Sequence, residues 1–100
     1  MSNEPICRDT LLVESPNGLH LVPCSQIAQL VSTFPGTVML HNGDRSADAS
    51  RVIELPALVA TQGTELEVVA TGEGCEQIVA DLKKLFASGF PTPEPTEADS

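Results

Sequence analysis

Tryptophan and tyrosine are absent from this chain of 100 residues, and phenylalanine occurs only three times. Small-molecule pockets are lined mainly by apolar and aromatic side chains, so a small ligand-binding α+β protein is the weakest of three readings open to the sequence. Basic residues are also scarce. Lysine and arginine number 5 against 14 aspartates and glutamates, for a formal net charge of −9. Binding a phosphate backbone needs clustered Lys and Arg that release counterions, so nucleic acid is excluded as a partner. No apolar run approaches the roughly 18 residues needed to span a bilayer, and no membrane association is expected. The start, Met-Ser-Asn-Glu-Pro, lacks the basic-then-apolar order of a secretory leader. Cys7, Cys24 and Cys75 form no CxxC pair, and His20 and His41 complete no metal pattern. No metal or cofactor is expected. The cysteines read as reduced, mostly buried residues of a cytoplasmic protein.

What is present is a folded domain with a tail. The length fits one domain, and 41% hydrophobic residues suffice for a core. Residues 89–100, GFPTPEPTEADS, place Pro91, Pro93 and Pro95 at alternate positions and hold the acidic residues Glu94, Glu97 and Asp99. They read as a disordered acidic tail, with Phe90 as a last anchor. Residues 1–88 form the domain. Residues 6–14 read as a strand ending at the turn Ser15-Pro16-Asn17-Gly18. Residues 21–34 place Ile27, Leu30, Val31 and Phe34 on one helical face, with Pro23 near the start and Pro35-Gly36 as the stop. Thr37 to His41 is a strand, and Asn42-Gly43 is a two-residue hairpin signal that leads into a polar return strand over 44–49. Ser50 is a candidate N-cap for a short helix over 51–60, which Pro56 makes irregular. Residues 64–70 alternate, with Leu66, Val68 and Ala70 on one side and Glu65, Glu67 and Val69 on the other. Residues 75–88 form the clearest helix, with Ile78, Val79, Leu82, Leu85 and Phe86 in one stripe. The order βαββαβα predicts an α+β two-layer sandwich with helices on one sheet face.

Chemistry concentrates at Asn17-Gly18-Leu19-His20-Leu21-Val22-Pro23. A glycine turn delivers a histidine to the start of a helix. There, unpaired amides and the helix dipole welcome an anion, so a phosphoryl group on the imidazole would meet backbone donors. On the residues alone, His20 is more often a surface or capping residue. Leu21 and Val22 either form an apolar rim that marks a partner-binding patch or fold into the core as the helix's first turn. His41, at a strand end, is expected to be exposed or locally hydrogen-bonded.

The stretch Ser15-Pro16-Asn17-Gly18-Leu19-His20 with Pro23, together with Asn42-Gly43, Ala49-Ser50 and Thr61-Gln62-Gly63-Thr64-Glu65-Leu66, resembles HPr, the histidine-containing phosphocarrier family of the bacterial phosphoenolpyruvate:sugar phosphotransferase system. The resemblance covers residues 6–88. It implies an open-faced β-sandwich, a four-stranded antiparallel sheet with three helices on one face. It also implies a soluble, cytoplasmic, monomeric phosphocarrier rather than an enzyme. His20 would accept a phosphoryl group from phosphorylated enzyme I on Nδ1 and pass it to an enzyme IIA component. Ser50 falls on the serine that a dedicated HPr kinase phosphorylates in many Gram-positive members. The sequence departs from the family pattern at Val22, where the family has an arginine. Losing that fork weakens stabilisation of the transferring group. Arg51 is the best substitute candidate, although an ordinary solvated arginine is the default reading of that residue. The acidic balance does not steer this chain toward acidic docking surfaces, so docking falls to apolar contacts. The competing reading is a regulatory interaction module in which His20 is slow or silent and Ser50 phosphorylation or partner binding carries the signal.

Overall fold

A computed structural model describes residues 4–90. Its elements are β1 (Ile6–Leu12), α1 (Leu21–Val31), β2 (Thr37–Asn42), β3 (Arg45–Asp48), a 3-10 turn (Leu55–Leu58), β4 (Glu65–Thr71) and α2 (Cys75–Ala87). The four strands form one sheet in the order β1-β4-β2-β3, antiparallel throughout. The alternation in β4 sets the two faces. Leu66, Val68 and Ala70 are buried, as are Leu11, Val38, Leu40 and Ala47 beside them. The opposite face carries Arg8, Thr10, Glu65 and Glu67 and stays open to solvent. Arg8 pairs with Glu67 there at 3.4 Å.

Both helices cover the apolar face. α2 turns its stripe Ile78, Val79, Leu82 and Phe86 inward, with Leu85 half-buried. Glu76 in its first turn and Lys84 in its last complement the dipole. α1 buries Pro23, Cys24, Ile27, Ala28 and Val31. It ends three residues before the predicted limit, and Phe34 enters the core from the following loop with its N–H donated to Val31. Beyond α2, Phe90 is buried to 4% exposure. Its ring meets that of Phe86 edge to face, with centroids 4.8 Å apart. The acidic tail expected over 89–100 otherwise lies outside the described residues.

Two expectations need correcting. The sheet carries two α-helices, not three. The helix expected over 51–60 is a run of turns, Arg51 N–H to Asp48 O and Glu54 N–H to Arg51 O, followed by the short 3-10 turn. Pro56 has no N–H to extend an α ladder and is tolerated only in a first turn. The 3-10 spacing still buries Leu55 and Leu58, three apart, and each contributes about 1.5–3 kcal/mol. Val59 then ends the turn in the left-handed region at φ +50°. Ser50 caps no helix. The hairpin loop is also shifted by one residue. Asn42 pairs with Arg45, so Gly43 and Asp44 form the loop, with positive φ at Gly43 alone. That is the glycine-first arrangement of type II′ turns. Asn42 instead donates its side-chain N–H to the Leu58 carbonyl at 2.8 Å, tying the hairpin to the 3-10 turn.

Candidate functional site

The segment from β1 to α1 is held by the connection that precedes β4. Val13 exchanges hydrogen bonds with it, donating to Thr64 at 2.9 Å and accepting from Gly63 at 2.7 Å. The chain then turns, with Gly18 N–H on Ser15 O at 2.9 Å, and Ser15 is buried. Gly18 has φ +67° and lies hard against Ala60. A Cβ there would stand 2.4 Å from the Ala60 carbonyl oxygen. Leu19 donates its N–H to that same oxygen at 3.1 Å and buries its side chain. The chain therefore reaches position 20 fixed on both sides.

His20 is the N-cap residue of α1, in extended conformation (φ −85°, ψ −168°), and its side chain makes no capping hydrogen bond. The imidazole is exposed. The His20 carbonyl accepts the first helical bond, from Cys24 N–H at 3.1 Å. Of the three residues between, Pro23 has no N–H, which leaves the amides of Leu21 and Val22 as the unpaired donors of the helix's first turn. Cys24 donates its thiol to the Leu19 carbonyl at 3.4 Å inside the core, and burial pushes that thiol's pKa up. The side chains at 23 and 24 thus anchor the first turn, while Leu21 is 70% exposed and Val22 38%. The two open alternatives for these residues resolve to an apolar rim. Val59, next to the Ala60 clamp, is exposed as well.

The other candidates do not join His20. Arg51 pairs through Nε with Glu54 at 3.0 Å. Arg8 is held by Glu67, and Arg45 donates to the Ala57 carbonyl at 3.4 Å. Among the described residues, no arginine is hydrogen-bonded to the histidine. Ser50 turns its hydroxyl and N–H onto one Asp48 oxygen, at 2.7 and 2.9 Å. Those two bonds, the hydroxyl's first, hold the Asp48 carboxyl below the usual carboxylate range. His41 is half-buried in β2 opposite Ser46 and Glu67. No cluster of three or more His, Cys, Asp or Glu that could hold a metal exists among the described residues. No helix among them is long and apolar enough to cross a membrane. Sequence reasoning missed the role of Ala60. The signal available was Gly18, whose position before Leu19-His20 requires a close backbone approach.

The family model described as PTS HPr component phosphorylation site matches residues 7–88. The chain belongs to the HPr family. It is a phosphocarrier of the phosphotransferase system by kinship, and its family comprises carriers rather than enzymes. The phosphocarrier protein NPr of Escherichia coli K12 is 33% identical over 84 residues, covering 83% of this chain and 93% of that protein. The phosphoryl donor subunit DhaM of the PEP-dependent dihydroxyacetone kinase of Providencia stuartii is 30% identical over 79 residues. That match covers 79% of this HPr-family chain but only 17% of the donor subunit's length. Among solved structures, HPr-C-His from Thermoanaerobacter tengcongensis superposes with a TM-score of 0.81 at 22% identity, covering 88% of this chain and 99% of that one. That likeness extends the HPr fold, a four-stranded antiparallel sheet under helices, to this chain.

Proposed function

We propose that His20 is the phosphoryl acceptor of this HPr-family carrier. It takes the group on Nδ1 from phosphorylated enzyme I and yields it to an enzyme IIA component. The observation that carries this reading is the exposed imidazole at the N-cap of α1, whose first turn leaves the amides of Leu21 and Val22 unpaired. In-line phosphoryl transfer needs positioning and charge stabilisation more than covalent help. The Gly18–Ala60 clamp supplies positioning, and the helix start supplies backbone donors. The arginine fork of the family pattern is replaced by Val22, and Arg51 is committed to Glu54, so stabilisation here falls on the backbone. Leu21, Val22 and Val59 give the docking partner an apolar surface in place of a basic one. The test is to charge the protein with phosphoenolpyruvate and enzyme I, then chase it with an enzyme IIA. Label that enters, leaves on the chase and is abolished by His20→Ala supports the carrier role. An uncharged wild-type protein beside a charged HPr control overturns it.

A second reading is favoured by one observation: among the described residues, all three arginines are paired elsewhere and none is hydrogen-bonded to the histidine. In that reading the protein binds partners as a regulatory module, and His20 is slow. Ser50, already bonded to Asp48, is its candidate phosphorylation site for an HPr kinase. A phosphate there would face the Asp48 carboxylate and exchange the Ser50–Asp48 bonds for repulsion. Stoichiometric kinase labelling of Ser50 beside an unlabelled His20 distinguishes this reading from the first.

A further inference from the structure

Away from His20, two thiols meet. Cys7 lies in β1 opposite Ala70, and Cys75 is the first residue of α2. They are 68 positions apart in sequence, yet their Sγ atoms approach to 2.6 Å. Cys75 is only 2% exposed, whereas Cys7 is half-buried. The elements that carry them are held together independently of the sulfurs. Asp9, two residues along β1 and on the same face as Cys7, accepts a hydrogen bond from Lys83 of α2 at 3.0 Å. Gly72 receives the Cys75 N–H at 3.1 Å and fixes the entry to α2. A cleft of about 420 Å³ lined by Pro5, Glu73, Gly74, Cys75, Glu76 and Gln77 opens beside the pair. The phosphocarrier chemistry uses none of these groups.

We propose that Cys7 and Cys75 form a reversible disulfide when the protein meets a small uncharged peroxide, clamping β1 to α2. The geometry fits bridge formation without movement of either element, since a disulfide demands side chains that already converge. Glu73 and Glu76 line the approach, which favours a neutral oxidant over an anionic one such as glutathione disulfide. The Cys7 thiol is pushed up to about 11, first by its hydrogen bond with Cys75 and then by desolvation, so it keeps its proton at neutral pH. Cys75 lines the cleft, so it is the sulfur that an oxidant entering there meets first. Its thiolate bonds to one peroxide oxygen, the O–O bond breaks, and hydroxide leaves and is protonated to water. The sulfur of Cys7 then attacks the resulting sulfenic acid. The S–O bond breaks, the S–S bond forms, and the departing hydroxide takes the Cys7 proton as a second water. Two thiols lose two electrons between them, and one peroxide becomes two waters. The closed loop encloses most of the domain, which restricts the unfolded chain strongly. The sulfurs sit at the far end of β1 from the His20 loop, so the clamp leaves phosphoryl acceptance intact.

The wild-type chain offers its own readout. Trypsin cuts after Arg8, Arg45, Arg51 and Lys83, so Cys7, Cys24 and Cys75 fall in three different peptides. After hydrogen peroxide treatment and non-reducing digestion, the expected product is the peptide of residues 1–8 joined to that of 52–83. Tm should rise by about 10 °C or more over the dithiothreitol-reduced protein, and the rise should be absent from Cys7→Ser. In Cys7→Ser, dimedone should trap a sulfenic acid on Cys75. Unlinked peptides, a link through Cys24, an unchanged Tm, or faster bridging by glutathione disulfide than by peroxide at equal concentration overturns the proposal. A dimedone adduct on Cys7 in Cys75→Ser overturns the assigned order of attack.

Discussion

Replacing Gly18 by alanine tests how the histidine is positioned. The backbone at 18 has φ +67°, and an L-residue there costs about 1–2 kcal/mol. The new Cβ would stand 2.4 Å from the Ala60 carbonyl oxygen and 3.0 Å from the Thr61 Cα. Both obstacles are backbone, so no side-chain rotation relieves them and the two segments must part. Parting lengthens or breaks the Leu19 N–H to Ala60 O bond, worth a further 0.5–1.5 kcal/mol or about that. The total is about 1.5–3.5 kcal/mol, which for a domain of this size lowers Tm by roughly 6–28 °C. Gly43→Ala is the matched control. Gly43 has φ +60°, but its Cβ would meet nothing within 4 Å, so only the conformational cost of about 1–2 kcal/mol applies. Urea denaturation and thermal melts of both variants give the comparison, and phosphoryl uptake by Gly18→Ala should fall with its stability. Equal losses in the two variants would refute the clamp, because steric contact with Ala60 is all that separates them.

Other predictions follow from the same geometry. Val22→Arg restores a charge-assisted contact worth about 1.5–3 kcal/mol and should speed phosphoryl acceptance by roughly ten- to a hundredfold in stopped-flow or quench assays; an unchanged rate means the backbone already suffices. Arg51→Ala should leave that rate unchanged, since its guanidinium is engaged by Glu54; a tenfold fall would show that it reaches the phosphoryl group. Ser50→Ala removes the hydroxyl bond, the larger of the two causes that hold the Asp48 carboxyl low, and leaves the backbone N–H bond in place. A depressed folded pKa contributes stability above the unfolded value of about 3.9 and loses it as pH falls through the folded one. Wild-type and Ser50→Ala stability curves should therefore converge on acidification, and curves that stay parallel contradict the linkage. Phe90→Ala should cost about 3 kcal/mol through loss of the contact with Phe86, measured by urea unfolding; a loss near zero would mean that the ring is not part of the core.

Much of this was legible because the periods were clean. The alternation through Leu66, Val68 and Ala70 and the stripe through Ile78, Leu82 and Phe86 each have one compatible burial, and the structure has it. The stretch 51–60 was not legible as a helix or a turn, because Leu55 and Leu58 suit either spacing and the decision falls to Pro56. The hairpin slipped by one residue because Asn42 has a better use, its bond to Leu58, than occupying the turn. At the site, the position of His20 at the helix start could be read from Gly18 and Pro23. That Arg51 is held by Glu54, and that Cys7 faces Cys75, could not. Both depend on where turns and strand register bring distant side chains.

The most direct measurement is NMR of the protein charged from phosphoenolpyruvate through enzyme I, with 15N labels on the imidazole and the backbone. The account predicts phosphate on Nδ1 of His20 together with downfield movement of the Leu21 and Val22 amide protons as they donate to it. Phosphate lodged on another residue, or a phosphorylated His20 whose neighbouring amides do not move, would contradict it.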